Sequence, residues 1–180
     1  MKNCQTMPDD ELLDLVDSDD AVIGQIWRSE VYRNSLSNFR AVNAFLKNSF
    51  GKIWFPRRTA SKKLFPSALD MSVGGHVKSG ETYEQAFTRE VLEEMRLDTK
   101  SVPIRLLGQL TPHEHGVSAF MKVYEIHSDS TPEFNRDDFT EYYWLSPYEA
   151  LARIAGGDPA KDDLRKLLEI FYLRTFRSEF

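Results

Sequence analysis

Three glutamates at helical spacing are the first feature of the sequence that could do chemistry. Glu90, Glu93 and Glu94 stand at positions i, i+3 and i+4, so they share one face of an α-helix. Carboxylates this close repel one another unless a divalent cation lies between them. Mg²⁺ suits such a cluster because it takes oxygen ligands and keeps waters that substrate phosphates can replace. The trio therefore predicts a magnesium site, although a Glu-rich helix face taken alone is more often plain solvated surface.

A longer pattern around these glutamates favours the metal site over the solvated surface. Gly75 is followed after five residues by Glu81, and after seven more by Arg89. With its aliphatic positions, the whole pattern is Gly75, Glu81, Arg89, Glu90, Val91, Glu93, Glu94 and Leu97. It resembles the Nudix box, and six fixed identities at about 6% usage each match by chance in roughly 10⁻⁷ of windows. One position departs from the box: Arg96 replaces a glycine, so we expect either a left-handed helix end costing about 1 kcal/mol or a different helix end.

The resemblance to Nudix hydrolases implies a cofactor and its ligands. It implies Mg²⁺-dependent hydrolysis of a diphosphate linked to another group, with Mn²⁺ able to substitute. Glu90 and Glu94 match the positions that most often hold the metal, and Glu93 a position that binds metal or activates water. Gly74 lies where a backbone carbonyl approaches the cation.

The same resemblance implies the catalytic residues. A carboxylate removes a proton from the attacking water, and Glu93 is the predicted base. Arg89 matches the residue that orients the catalytic glutamate. Glu81 matches the residue that stabilises the geometry between loop and helix.

Beyond the box, the resemblance is to the branch that contains isopentenyl diphosphate isomerase, over roughly residues 12–150. It rests on Leu15-Val16-Asp17, Ile23-Gly24, Phe39-Arg40-Ala41-Val42, Arg57-Arg58, Lys63, Phe65-Pro66, Gly75-His76-Val77 and Gly80-Glu81. In that branch a basic region binds substrate phosphate. The matching candidates for substrate binding are Arg57, Arg58 and Lys63, although a solvated basic turn is an equal alternative for any one of them.

The isomerase itself is the rival enzyme. Its catalytic cysteine belongs at the position of Gly74, and the single cysteine, Cys4, is far away in the sequence. His76 does occupy one of its ligand positions. We therefore predict a hydrolase that cleaves a diphosphate linkage in a nucleoside diphosphate or a related phosphorylated small molecule. An isomerase-like enzyme and a Nudix-fold module that binds a phosphorylated ligand without cleaving it stay open as alternatives.

Three further residues could supply an extra base or metal ligand: Glu114, Glu141 and His76. Glu114 lies in a predicted turn between strands, where loop residues often carry function. Glu141 precedes the strand candidate Tyr142–Leu145, a place where the family often has a glutamate. For Glu114 a polar hairpin tip is the more frequent interpretation.

Composition limits the classes of partner. The chain has 180 residues and a formal net charge of −5, which argues against a protein that coats duplex nucleic acid. One cysteine excludes an internal disulfide framework, and no apolar run approaches the ~18–20 residues of a membrane span. We expect a cytoplasmic enzyme with a small-molecule diphosphate substrate and no membrane partner, and leave a homodimer open.

The helices and strands that the sequence indicates around these residues predict an α+β fold, an α/β/α sandwich with a mixed central sheet. Thr82 to Met95 is the clearest helix, with a capping box and an apolar stripe. Seven or eight short strands and two further helices are expected, one beginning at Ser146-Pro147 and a C-terminal one at Asp158-Pro159. We predict a flexible N-terminus over residues 1–12 and a single domain over residues 13–180.

Overall fold

The computed structural model describes residues 10–173, and the predicted mixed sheet between two layers of helices is confirmed. The strands are β1 (Leu12–Val16), β2 (Val22–Trp27), β3 (Arg40–Lys47), β4 (Ile53–Arg58), β5 (Val73–His76), β6 (Ile104–Leu110), β7 (Phe120–His127) and β8 (Phe139–Leu145). The α-helices are α1 (Arg28–Arg33), α2 (Tyr83–Met95), α3 (Pro112–His115), α4 (Pro147–Ala155) and α5 (Leu164–Leu168). Cys4 and most of the segment 1–12 lie outside the described residues, so its flexibility stays a prediction.

The central sheet has six strands in the order β6-β7-β3-β4-β8, with β5 paired to β3. β3 runs parallel to β7 and antiparallel to both β4 and β5. β4 meets β3 only at its end, where Lys47 faces Ile53, while β5 pairs with β3 over residues 41–44. β5 and β4 thus share one edge of β3. β1 and β2 form a separate antiparallel hairpin.

Two hydrophobic clusters fill the space between the sheet and the helices. One contains the apolar stripe of α2, with Phe87 and Val91 packed among residues of β3 and β4. The other contains Leu164 and Leu167 of α5 with Ala150 of α4. Each cluster removes its apolar side chains from water, and the first of them holds α2 against the sheet.

Both ends of α2 follow the local sequence. Thr82 accepts a hydrogen bond from the backbone N–H of Gln85, and the Gln85 side chain accepts one from the Thr82 N–H, which confirms the predicted capping box. Arg96 ends the helix in the left-handed conformation with φ 53°. This is the first of the two expected helix ends, and it places an arginine where glycine carries less strain.

Three local predictions were wrong or incomplete. The residues after Asp158 do not begin a helix: they run extended beside Leu69, and α5 starts only at Leu164. The helix α1 had no predicted counterpart. The turn predicted at Pro112–Gly116 is a single helical turn that Gly116 ends with φ 63°. Among the helices of residues 10–173, none has the length and apolarity needed to cross a bilayer.

Candidate active site

The acidic face of α2 lies directly on the glycine pair of β5. A Cβ atom on Gly75 would lie 2.0 Å from the carboxylate carbon of Glu90. The N–H of Gly74 donates a hydrogen bond of 3.0 Å to Glu94 Oε2. Glu90 is 8% exposed and Glu94 is partly buried. Glycine at position 75 is therefore required for Glu90 to reach this place.

Arg89 ties together the residues of the box. Its Nε and Nη2 atoms donate to the two carboxylate oxygens of Glu81, at 2.8 and 2.9 Å. Nη1 lies 2.6 Å from Glu90 Oε1 and 3.4 Å from Glu93 Oε2. Nη2 also donates to the carbonyl of His76. One guanidinium thus joins the loop before α2, the strand β5 and the acidic face of the helix.

Negative charge accumulates at this site. The pKa of Glu94 is raised well above its usual range, first by burial and then by the charges of Glu90 and Asp70. Burial also raises the pKa of Glu90, although the adjacent Arg89 opposes this. Carboxylates that burial and mutual repulsion disfavour as anions are the kind of ligands that a bound cation stabilises.

The ability of this site to bind a divalent cation depends on which carboxylate oxygens already accept hydrogen bonds. Across residues 10–173, no three His, Cys, Asp or Glu side chains form a closed group that could hold a metal ion. Glu90 and Glu94 each engage one oxygen in the hydrogen bonds described for them, with Arg89 and Gly74 respectively. The other oxygen of each is left for a ligand, and the side chain of Glu93 is 53% exposed. The donor set suits Mg²⁺ in its chemistry, because all of its ligand atoms are carboxylate oxygens.

The three predicted substrate cations have different surroundings. Arg57 makes two hydrogen bonds to Asp158, at 2.9 and 3.0 Å, and a third to Glu141, at 2.8 Å. Its guanidinium is therefore occupied by protein carboxylates. Arg58 Nη1 lies 2.6 Å from Asp70 Oδ2. Lys63 is exposed, and within the described chain no ion pair is found for it.

The three extra candidates do not join the carboxylates of α2. Glu141 lies on β8, where it accepts hydrogen bonds from Arg57 and Tyr143. Glu114 lies on α3 and accepts a hydrogen bond from the hydroxyl of Thr111, which caps that helix. His76 follows the glycine pair on β5, and burial lowers its pKa.

The surroundings of His76 were not foreseen from the sequence. His76 Nε2 lies 2.8 Å from the hydroxyl of Tyr32, and Nδ1 lies 3.6 Å from Glu11 Oε2. Tyr32 belongs to the unpredicted helix α1. Nothing in the spacing of these residues indicated that they meet.

Two charged residues beside the glycine pair were also missed. Asp70 is 2% exposed and pairs with Lys161 as well as with Arg58. An acidic residue between the apolar Leu69 and Met71 was the available signal for a buried, partnered carboxylate. No local signal pointed to Lys161.

A mixed sheet between helices, with a rigid helix that carries an acidic face onto a glycine pair, defines the class of protein. A family model described as the NUDIX domain matches residues 37–168. The chain belongs to the Nudix family.

Individual proteins that are similar in sequence to this chain are also Nudix proteins. An uncharacterized Nudix hydrolase of Nostoc is 55% identical over 166 residues, covering 92% of this chain and 98% of the relative. A Nudix hydrolase of Deinococcus radiodurans is 50% identical over 163 residues, covering 91% and 95%. The crystal structure of DR0079 from Deinococcus radiodurans is similar with a TM-score of 0.86 at 49% identity, covering 90% of this chain and 99% of that one. The prediction of a hydrolase that acts on diphosphate bonds is confirmed.

Proposed function

We propose that this protein is a Mg²⁺-dependent hydrolase that cleaves a diphosphate linkage in a nucleoside diphosphate or a related phosphorylated small molecule. The observation that carries the proposal is the placement of Glu90 and Glu94 against Gly75 and Gly74, where burial and repulsion raise the pKa of both carboxyl groups. A bound Mg²⁺ would neutralise diphosphate oxygens and acidify a water. Glu90, Glu94 and Glu93 would hold it.

The residues of the chain divide the remaining work. Glu93 is the exposed carboxylate of the trio, so it can accept a proton from the attacking water. Arg89 keeps Glu90 in place through its 2.6 Å contact, and Glu81 fixes Arg89 with two hydrogen bonds. Arg58 is a candidate for binding substrate phosphate. The contacts of Arg57 support a structural role in place of the substrate binding predicted for it.

The isomerase alternative has less support. Gly74 stands where that enzyme needs its cysteine, and its backbone N–H is bonded to Glu94. The relation to the isomerase branch stays a prediction from sequence motifs, as do the cytoplasmic location and a homodimer.

The test is a screen of diphosphate compounds with purified protein, reading released phosphate with Mg²⁺ and with EDTA. Glu93→Gln should lower kcat by about 10²–10⁴-fold, the usual contribution of a general base. Glu84→Gln is the matched control, because Glu84 lies on the same helix but pairs with Lys122 at the surface. Tight ligand binding without turnover would favour the non-catalytic module, and dimethylallyl product from isopentenyl diphosphate would favour the isomerase.

A further inference from the structure

The segment between α4 and α5 is fixed against the active site by its backbone. The N–H of Leu69 donates to the carbonyl of Pro159 at 2.7 Å, and the N–H of Lys161 donates to the carbonyl of Leu69 at 2.9 Å. The carbonyl of Lys161 in turn accepts from the N–H of Leu164, at the start of α5. Lys161 therefore has a fixed backbone from which its side chain extends.

Arg57 helps to fix the same segment. Its two hydrogen bonds to Asp158 hold the chain three residues before Lys161, and Arg153 also contacts Asp158, at 2.8 Å. Arg57, which the sequence suggested for substrate binding, thus fixes the segment that carries Lys161.

The ammonium group of Lys161 lies beside the glycine pair. Its Nζ atom is 3.3 Å from Asp70 Oδ1 and 2.9 Å from the position that a Cβ on Gly74 would occupy. The N–H of that same Gly74 is bonded to Glu94. The side chain of Lys161 is 24% exposed, so a ligand can reach it. A lysine ammonium on a four-carbon stem can turn from Asp70 towards an incoming anion.

A second cation shares the same buried carboxylate. Arg58 Nη1 lies 2.6 Å from Asp70 Oδ2, on the other oxygen of the carboxylate. Two cations, Arg58 and Lys161, therefore contact the single carboxylate of Asp70 beside the acidic face of α2. Burial raises the pKa of the Tyr32 hydroxyl, and the charges of Lys161 and Arg58 oppose the rise.

We propose that Lys161, together with Arg58, contacts the diphosphate group of the substrate at the edge of the acidic face of α2. This inference rests on the proposed function. A diphosphate carries several negative charges, so it needs cations beside the metal, and Lys161 and Arg58 place two of them within reach of the same site.

The experiment measures binding of methylenediphosphonate, a diphosphate analogue that cannot be hydrolysed, to the full-length protein by calorimetry in the presence of Mg²⁺. Lys161→Met should weaken the affinity about tenfold to a hundredfold, the usual contribution of a hydrogen bond to a charged group. Lys161→Arg should retain most of the affinity. Lys100→Met is the matched control, because Lys100 is exposed and the substitution changes the net charge equally. If thermal melting shows that Lys161→Met does not fold, Lys161→Gln, which keeps a polar side chain, replaces it.

The outcomes separate this inference from the proposed function. Wild-type affinity in both Lys161→Met and Lys161→Gln, or no analogue binding by the wild type, would overturn the role of Lys161. If the wild type binds the analogue, the lysine variants bind it weakly and no diphosphate is hydrolysed, the role of Lys161 stands and the hydrolase proposal fails. If hydrolysis occurs, Lys161→Met should raise KM for the diphosphate substrate more than it lowers kcat.

Discussion

Replacement of Gly75 by alanine should displace Glu90 from the active site. The new Cβ would lie 2.0 Å from both Cδ and Oε1 of Glu90, and 2.5 Å from its Cγ. Ordinary contact begins at 3.4 Å, so the carboxylate would have to retreat by about 1.4 Å, the difference between those distances. Glu90 is only 8% exposed and already lies 2.6 Å from Arg89, so the retreat breaks the present arrangement.

The expected loss follows from that displacement. Misplacing a reacting or coordinating group by 1 Å costs about 10²-fold in rate, so kcat/KM of Gly75→Ala should fall by about that factor or more. The affinity for Mn²⁺ should fall as well, because Glu90 is a proposed metal ligand. The assay combines initial rates on a substrate from the diphosphate screen with a Mn²⁺ titration by electron paramagnetic resonance.

The control for this substitution is Gly24→Ala in β2. A Cβ on Gly24 would have no heavy atom within 4 Å, and its φ is not positive, so the substitution should leave rate and folding unchanged. Circular dichroism and thermal melting show whether both variants fold. A folded Gly75→Ala protein with the rate and Mn²⁺ affinity of the wild type would refute the need for Glu90 in this place.

Three further predictions concern stability. With EDTA present, Glu94→Gln should become increasingly more stable than the wild type as the pH rises above 4.5. Because the pKa of Glu94 is raised in the folded state, the stability that its protonated form contributes is complete below its ordinary pKa of 4.5 and is lost as the pH rises through the folded-state pKa. Parallel melting curves of the two proteins from pH 4 to 8 measure the difference in stability, and a difference that does not change with pH would contradict the prediction. Arg96→Gly should raise Tm by about 2–4 °C, because it removes roughly 1 kcal/mol of left-handed strain at φ 53°. Arg57→Ala should lower Tm by about 4–8 °C, because it breaks a half-buried pair with Asp158 worth roughly 2 kcal/mol; an unchanged Tm would show that Arg57 does not anchor this segment.

The sequence predicted the elements whose signals are local. Thr82 and Gln85 indicate the start of α2, and an apolar stripe indicates its helical course. Ser146 and Glu149 indicate the start of α4 in the same way. Such capping contacts join residues three apart, so spacing alone identifies them. The left-handed conformation of Arg96 is one of the two helix ends that its position in the box left open.

The sequence failed where distant segments decide the conformation. The residues after Asp158 resemble a helix start, but hydrogen bonds to Leu69 hold them extended. Lys161 and Asp70 are separated by 91 positions, so no spacing rule brings them together, although their charges meet at 3.3 Å. In the same way, only the fold shows that Asp158 pairs with the guanidinium of Arg57, a residue that the sequence suggested for substrate binding.

The binding of a divalent cation to the acidic face of α2 is tested most directly by calorimetry with Mn²⁺ on the wild type and on Glu94→Gln. Mg²⁺ competition on the same samples shows whether both ions share the site. We predict that the wild type binds one Mn²⁺ that Mg²⁺ displaces, and that Glu94→Gln loses most of this affinity while it stays folded. Equal Mn²⁺ binding by the two proteins would contradict a metal site at Glu94.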